Sequence, residues 1–125
     1  ALFRVFSETA EGREPAAGDL AFLSRALGLA LAHRRLVRAA EGWALGWEDP
    51  PDALDAPLWR VAASAAEVLT DRETLERVRV CGLHDTRECS WVFLDTTRAR
   101  TRRWCSMSSC GNRAKARRHY ARGKG

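Results

Sequence analysis

Apolar residues recur at helical spacing twice within the first seventy positions. Leu20, Leu23, Leu27 and Leu31 form one stripe and Phe22, Ala26 and Leu29 a second beside it, which predicts a broadly buried helix with Asp19 as its N-cap. Leu58, Ala62, Ala65 and Leu69 repeat the pattern, and Asp55 as cap with Pro57 in the first turn marks the start of a helix that should dock on the first. Between them, Leu36-Val37 and Trp43-Ala44-Leu45-Gly46-Trp47 flank Ala-Ala-Glu-Gly, a short hairpin in which Gly42 supplies the turn. Glu48-Asp49-Pro50-Pro51-Asp52 reads as a loop, because proline restricts the residue before it and offers no backbone donor. Residues 1–18 show less pattern: Leu2, Phe3, Val5 and Phe6 suggest a strand or packed edge, and Glu-Pro-Ala-Ala-Gly a loop. Thr70-Asp71 caps a brief helix reaching about Arg77. Beyond it the period shifts. Ser90-Trp91-Val92-Phe93-Leu94-Asp95 is β-rich, and Arg102-Arg103-Trp104-Cys105 reads as its returning strand. Ser106-Met107-Ser108-Ser109 then caps a helix with Cys110 in its first turn, ending near Ala121 before Gly123. The expected fold class is α+β, mainly helical, with a small helical domain bearing a short β-hairpin over residues 1–77 and a hairpin-plus-helix module over 78–125.

Length and composition bound what this can be. A chain of 125 residues, 46% hydrophobic and 30% charged, makes one compact domain or a small domain with an appended module, which excludes a large multidomain enzyme. No run of about 18 apolar residues exists to span a bilayer. The opening ALFRVFSETAEGRE has no basic leader followed by an apolar core and a small-residue cleavage site, so a reducing, cytoplasmic location is expected.

Charge divides the chain. Of 21 basic residues 19 are Arg, and Ala occurs 21 times, a bias that a GC-rich genome produces by itself, so position matters more than number. Residues 1–70 carry a net −3 and residues 71–125 a net +8. After Asp95 there is no acid, and ten bases follow: Arg98, Arg100, Arg102, Arg103, Arg113, Lys115, Arg117, Arg118, Arg122 and Lys124. A basic end of this kind addresses polyanions, and a solvated tail, the plainer alternative, would not contain Trp91, Trp104 and all four cysteines.

The cysteines are spaced Cys81-x7-Cys89-x15-Cys105-x4-Cys110. Four thiolates suit one tetrahedral zinc, and such a closed set is structural because no coordination position is left for water or substrate. Two disulfides are the competing reading, opposed by a reducing compartment. A third assigns His84, at Cys81-x2-His84, in place of Cys89 and leaves a reactive thiol.

At 100° per residue Lys115, Arg118, His119 and Arg122 share one helix face, while Cys110, Ala114, Arg117 and Ala121 lie opposite, on the metal side. Lys115, Arg118 and Arg122, with the hairpin residues Arg98, Arg100, Arg102 and Arg103, are the phosphate-binding candidates. Arg113 is read as pairing with Asp95, Asn112 as bonding backbone, and Trp91, Phe93 and Trp104 as a small core beside the metal. His33 and His119 have no assembled partners, and neither a nucleophile-base pairing nor a glycine-rich phosphate loop is present.

The run Arg103-Trp104-Cys105-Ser106-Met107-Ser108-Ser109-Cys110-Gly111-Asn112-Arg113-Ala114-Lys115, preceded by Cys89-Ser90-Trp91-Val92-Phe93-Leu94-Asp95, resembles the CGNR zinc-finger family, named for the tetrapeptide at Cys110–Arg113. The resemblance covers about residues 77–122. It implies a bacterial, stress-linked transcription regulator, not an enzyme, with Cys81, Cys89, Cys105 and Cys110 as ligands of one structural Zn2+, and a helical N-terminal ABATE domain, here shortened by a helical portion. The partners implied are DNA, a small-molecule or protein ligand of the N-terminal domain, and a second copy in a homodimer, with no membrane. The alternative from the residues alone is a zinc-stabilised module for RNA or an acidic protein surface. A zinc enzyme would need an open coordination position.

Overall fold

The computed structural model describes residues 1–48 and 50–123; Asp49 of the expected loop and Lys124, the last of the ten bases, lie outside the described residues. The elements run α1 Leu2–Ala10, α2 Ala17–Ala32, β1 Arg34–Arg38, β2 Trp43–Trp47, α3 Ala56–Thr70, α4 Arg72–Leu75, β3 Val78–Val80, β4 Val92–Leu94 and α5 Asn112–Arg122, with a π-helical turn, Met107–Gly111, leading into α5. No helix among them is long and apolar enough to cross a membrane.

The N-terminal segment is a helix, not a strand. Leu2, Val5, Phe6 and Thr9 recur at the i, i+3, i+4, i+7 spacing of one helix face, and Val5 is fully buried on it. Thr9 and Ser7 return their hydroxyls to the carbonyls of Val5 and Arg4. The opposite register exposes Arg4, whose guanidinium grips Asp19 through Nε to Oδ2 at 2.7 Å and Nη2 to Oδ1 at 2.6 Å. Asp19 is therefore not the cap of α2. That helix opens three residues earlier, with Ala16 at the cap position, and Asp19 sits buried in its first turn as the anchor for α1.

α2 and α3 pack together as expected, through Leu23, Ala30, Ala62 and Ala65, with Leu2, Phe6, Trp47, Trp59 and Leu69 around them. The predicted stripe of α3 is right except at its first turn, where Leu58 is exposed. α2 is not broadly buried: Leu20, Phe22, Leu29 and Leu31 all face outward, because its packing on α1 and α3 covers one side of the helix and leaves these residues outside the cluster. Asp55 does precede α3 with proline in its first turn, but its side chain makes no capping bond. Asp71 does cap α4, accepting from the Glu73 amide.

β1 and β2 form the expected antiparallel hairpin in the register Arg34↔Trp47, Leu36↔Leu45, Arg38↔Trp43. Gly42, at φ +85°, takes the left-handed turn position that costs other residues about 1 kcal/mol or more. Arg34 and Arg38 lie over Trp47 and Trp43 at 4.5 and 5.3 Å, and His33 stacks on Trp59 at 3.5 Å.

The second hairpin differs from the expected one. Val92–Leu94 pairs antiparallel with Val78–Val80, in the register Val78↔Leu94, Arg79↔Phe93, Val80↔Val92, and residues 102–105 are not a strand. The segment after Asp95 has its own partner. Buried Asp95 accepts from the Thr97 amide at 3.0 Å, the Thr97 hydroxyl at 2.6 Å and the Arg102 amide at 2.8 Å, so residues 95–102 close on a carboxylate instead of a ladder. α1 packs on both β3 and β4, and Phe3 lies against His84 with ring centroids 5.2 Å apart.

The Arg4 hydrogen bonds, outweighing burial, hold the Asp19 carboxyl below its ordinary 3.8. A depressed folded-state value adds stability above that ordinary value and withdraws it as the pH falls through the depressed one. Asp19→Asn should thus unfold at lower urea than the parent near neutral pH, and the gap between the two should close in acid below about 3.8.

Candidate metal centre

Three separate segments deliver the four thiols to one point. Cys81 follows β3 and Cys89 precedes β4, so the strand pair clamps the loop that carries both; the Cys81 amide donates to the Trp91 carbonyl at 3.0 Å. Inside that loop the His84 and Arg87 amides close two successive turns on Cys81 and His84, and Arg87 takes a left-handed φ of 57°. Cys105 arrives from the Asp95-bound segment. The Gly82 amide donates to the Arg103 carbonyl at 2.8 Å, and Arg102 reaches the Cys105 carbonyl at 2.7 Å while lying over Phe93. Cys110 comes from the π-helical turn, which opens on Ser106 accepting from the Ser109 amide.

The four sulfurs lie within 4.8 Å of one another, with Cys89 to Cys105 at 3.7 Å and Cys105 to Cys110 at 3.6 Å. A tetrahedral zinc with bonds of about 2.3 Å requires sulfur separations of about 3.8 Å, whereas a disulfide requires about 2.05 Å. All four cysteines are free, and Cys81, Cys89 and Cys110 are buried. The cluster is thus geometrically suited to hold a metal ion, as a closed structural zinc site does. Burial, with the neighbouring thiols, pushes Cys105 up to about 12. Burial also acts to raise Cys110, but hydrogen bonds from Cys105, Cys89, Cys81 and Arg113 together bring it down to about 7.

Each residue of the tetrapeptide serves this cluster. Cys110 supplies a thiol. At Gly111 a Cβ would stand 2.9 Å from Met107 Sδ and 3.3 Å from Trp104 Cδ1. Asn112 bonds backbone as expected, donating to the Ser108 carbonyl at 3.0 Å. Arg113 does not pair with Asp95; it donates to Cys110 Sγ at 3.3 Å and to the Glu88 carbonyl at 3.2 Å, tying helix to loop while placing positive charge on sulfur. Trp104 packs against the thiols with Leu83 and Ala114, and Gly82 admits its ring, since a Cβ there would meet Cζ3 at 2.8 Å. Trp91 is not part of this small core. It is 69% exposed and lines a cavity of about 600 Å3 between α1, α3 and the β3–β4 pair, with Phe3, Phe6, Val61, Val68 and Phe93. His84 is no member of the sulfur cluster; its Nδ1 faces the Cys89 carbonyl at 3.4 Å.

The expected basic residues divide by what they touch. Arg102 is spent on the carbonyls of Trp104 and Cys105, and Arg100 pairs with Glu73 at 3.4 Å. Arg117 pairs with Glu88. Arg98, Arg103, Lys115, Arg118 and Arg122 are exposed and form no ion pair among the described residues.

Two families match this chain. The one described as "Putative stress-induced transcription regulator", ABATE, matches residues 1–72, more than half the length. The chain belongs to the ABATE family. The "CGNR zinc finger" matches residues 77–123, the segment that holds all four thiols and the basic helix. The ABATE and CGNR combination marks a regulatory, non-catalytic zinc-finger protein. A comparison with curated proteins gave no match. Nothing in the local sequence of this ABATE protein marks the contacts of Glu88, Gly82 or the inward-turned Arg113; for Asp95 the Asp-Thr-Thr turn signature is the one local signal.

Cys105→Ser or Cys110→Ser should abolish stoichiometric zinc by atomic absorption and unfold residues 79–122, since a finger this small draws its folding energy from the metal. Gly82→Ala should keep all four thiols yet lower stability by about 1–3 kcal/mol, through the clash with Trp104, measurable as an earlier thermal transition of the zinc-loaded protein.

Proposed function

We propose that this is a cytoplasmic, zinc-dependent DNA-binding transcription regulator, in which Cys81, Cys89, Cys105 and Cys110 ligate one structural Zn2+ and the finger meets DNA phosphates. The observation that carries the reading is the pairing of a closed four-thiol cluster with an acid-free segment, residues 96–125, whose bases outnumber what the fold itself uses. A closed set leaves the metal nothing to do but hold shape. Exposed Lys115, Arg118 and Arg122 on α5, with Arg98 and Arg103 on the segment before Cys105, supply the cations; Arg100 and Arg102 can add to the field without leaving their partners. Residues 1–77 act in this reading as the regulatory domain and 78–125 as the finger. A small-molecule or protein ligand of the regulatory part would reach the finger through the 600 Å3 cavity, whose walls come from α1 and α3 on one side and from β3, β4 and Trp91 on the other. A second copy, as a homodimer, would read a palindromic site.

Selection from random duplex DNA by the zinc-loaded protein should enrich a sequence motif, palindromic if a dimer binds. Absence of enrichment would move the finger to RNA or a protein surface. Neutralising Lys115, Arg118 and Arg122 together should leave zinc content unchanged and flatten the salt dependence of duplex binding by about 0.9 in slope for each phosphate no longer neutralised, as read by anisotropy titrations across salt concentrations.

A further inference from the structure

Beside the thiol cluster a groove of about 340 Å3 runs between the turn at Gly82–Thr86, Trp104 and α5. Buried Leu83 and Ala114 and half-buried Trp104 make its floor, while Arg103, Arg117, Arg118 and Ala121 stand exposed around it. The three guanidinium groups are not equivalent. Arg117 is neutralised by Glu88. Among the described residues Arg118 donates only its Nε, to the Ala114 carbonyl at 3.4 Å, and Arg103 lies over the Trp104 ring at 5.4 Å with no acid beside it.

An apolar, aromatic floor under a cationic rim complements the two halves of a nucleotide. A bare phosphate would engage the rim and leave the floor in water, and a groove of this size sits at the lower end of those that take small organic groups. In a perfect duplex the base faces are stacked on one another, and only base edges, sugar and phosphate are offered. A base released from the stack presents both a flat apolar face and its own phosphate. We infer that this groove seats one unstacked nucleotide of bound DNA, its base against Trp104 and Leu83 and its phosphate between Arg103 and Arg118. The inference rests on the DNA-binding reading above and specifies which form of DNA the finger holds best.

The test compares the zinc-loaded full chain on a duplex and on the same duplex carrying a single unpaired thymidine, at fixed salt, by anisotropy. The bulged duplex should bind about fivefold to tenfold more tightly, the lower part of what base stacking on an aromatic contributes. Ala121→Gln, which fills the groove without removing a charge, should erase that preference while leaving zinc content, helicity and perfect-duplex affinity unchanged. Arg103→Ala should lower bulged-duplex affinity by more than perfect-duplex affinity. Equal binding of the two duplexes by the parent protein would overturn the nucleotide groove and leave the DNA-binding reading standing. A decrease shared equally by both duplexes in Ala121→Gln would also overturn it, showing a groove that meets backbone alone. Failure of both duplexes to bind at all would remove the DNA-binding reading and the groove with it.

Discussion

The constraint on which the finger depends is the convergence of four thiols from three chain segments onto a volume that one ion fills. Sulfurs 3.6 to 3.7 Å apart cannot all be anionic without a cation between them, and a buried site cannot leave them to water. Everything nearby reads as a device for holding that geometry. The β3–β4 pair fixes the two ends of the first loop, buried Asp95 replaces a missing strand ladder with three hydrogen bonds, and a π-helical turn offers Cys110 inward. Trp104 fills the remaining space, which is why two glycines, Gly82 and Gly111, stand where any Cβ would press on its ring.

The arginines then sort by geometry rather than by count. Arg113 and Arg102 are turned inward, onto a sulfur and onto the carbonyl of a thiol-bearing residue, so two of the ten bases beyond Asp95 belong to the site's architecture. Arg117 and Arg100 are balanced by acids from the loop and from α4. The surplus that faces solvent is smaller than composition suggests and is concentrated on α5 and at Arg98 and Arg103. A polyanion therefore meets a field from many residues but direct donors from few.

The two family segments also touch. α1 lies on both strands of the finger, Phe3 rests on His84 within the Cys81–Cys89 loop, and the larger cavity takes its walls from both sides. A change in the packing of α1 thus reaches the thiol loop through one ring contact and a shared apolar wall, the kind of contiguous, discrete contact through which one site can bias another.

Local pattern by itself determined the parts whose cause is local. The helical periods of α2 and α3, the Gly42 hairpin, the Asp71 cap and the helix after Ser106 are each written in a few adjacent residues, because period, turn conformation and capping act over one or two turns of chain. The cysteine set was legible for the same reason: four soft ligands in one chain have few other uses. Tertiary structure alone decided what each polar group does once folded. Asp19 looks like a cap and is an ion-pair anchor; Asp95 and Arg113 look like partners and each serves someone else; Trp91 looks like core and lines a cavity; residues 102–105 look like a strand and are held by a carboxylate. In every such case the competitors lie far apart in sequence and close in space, so distance in the folded chain, which spacing does not encode, selected the partner.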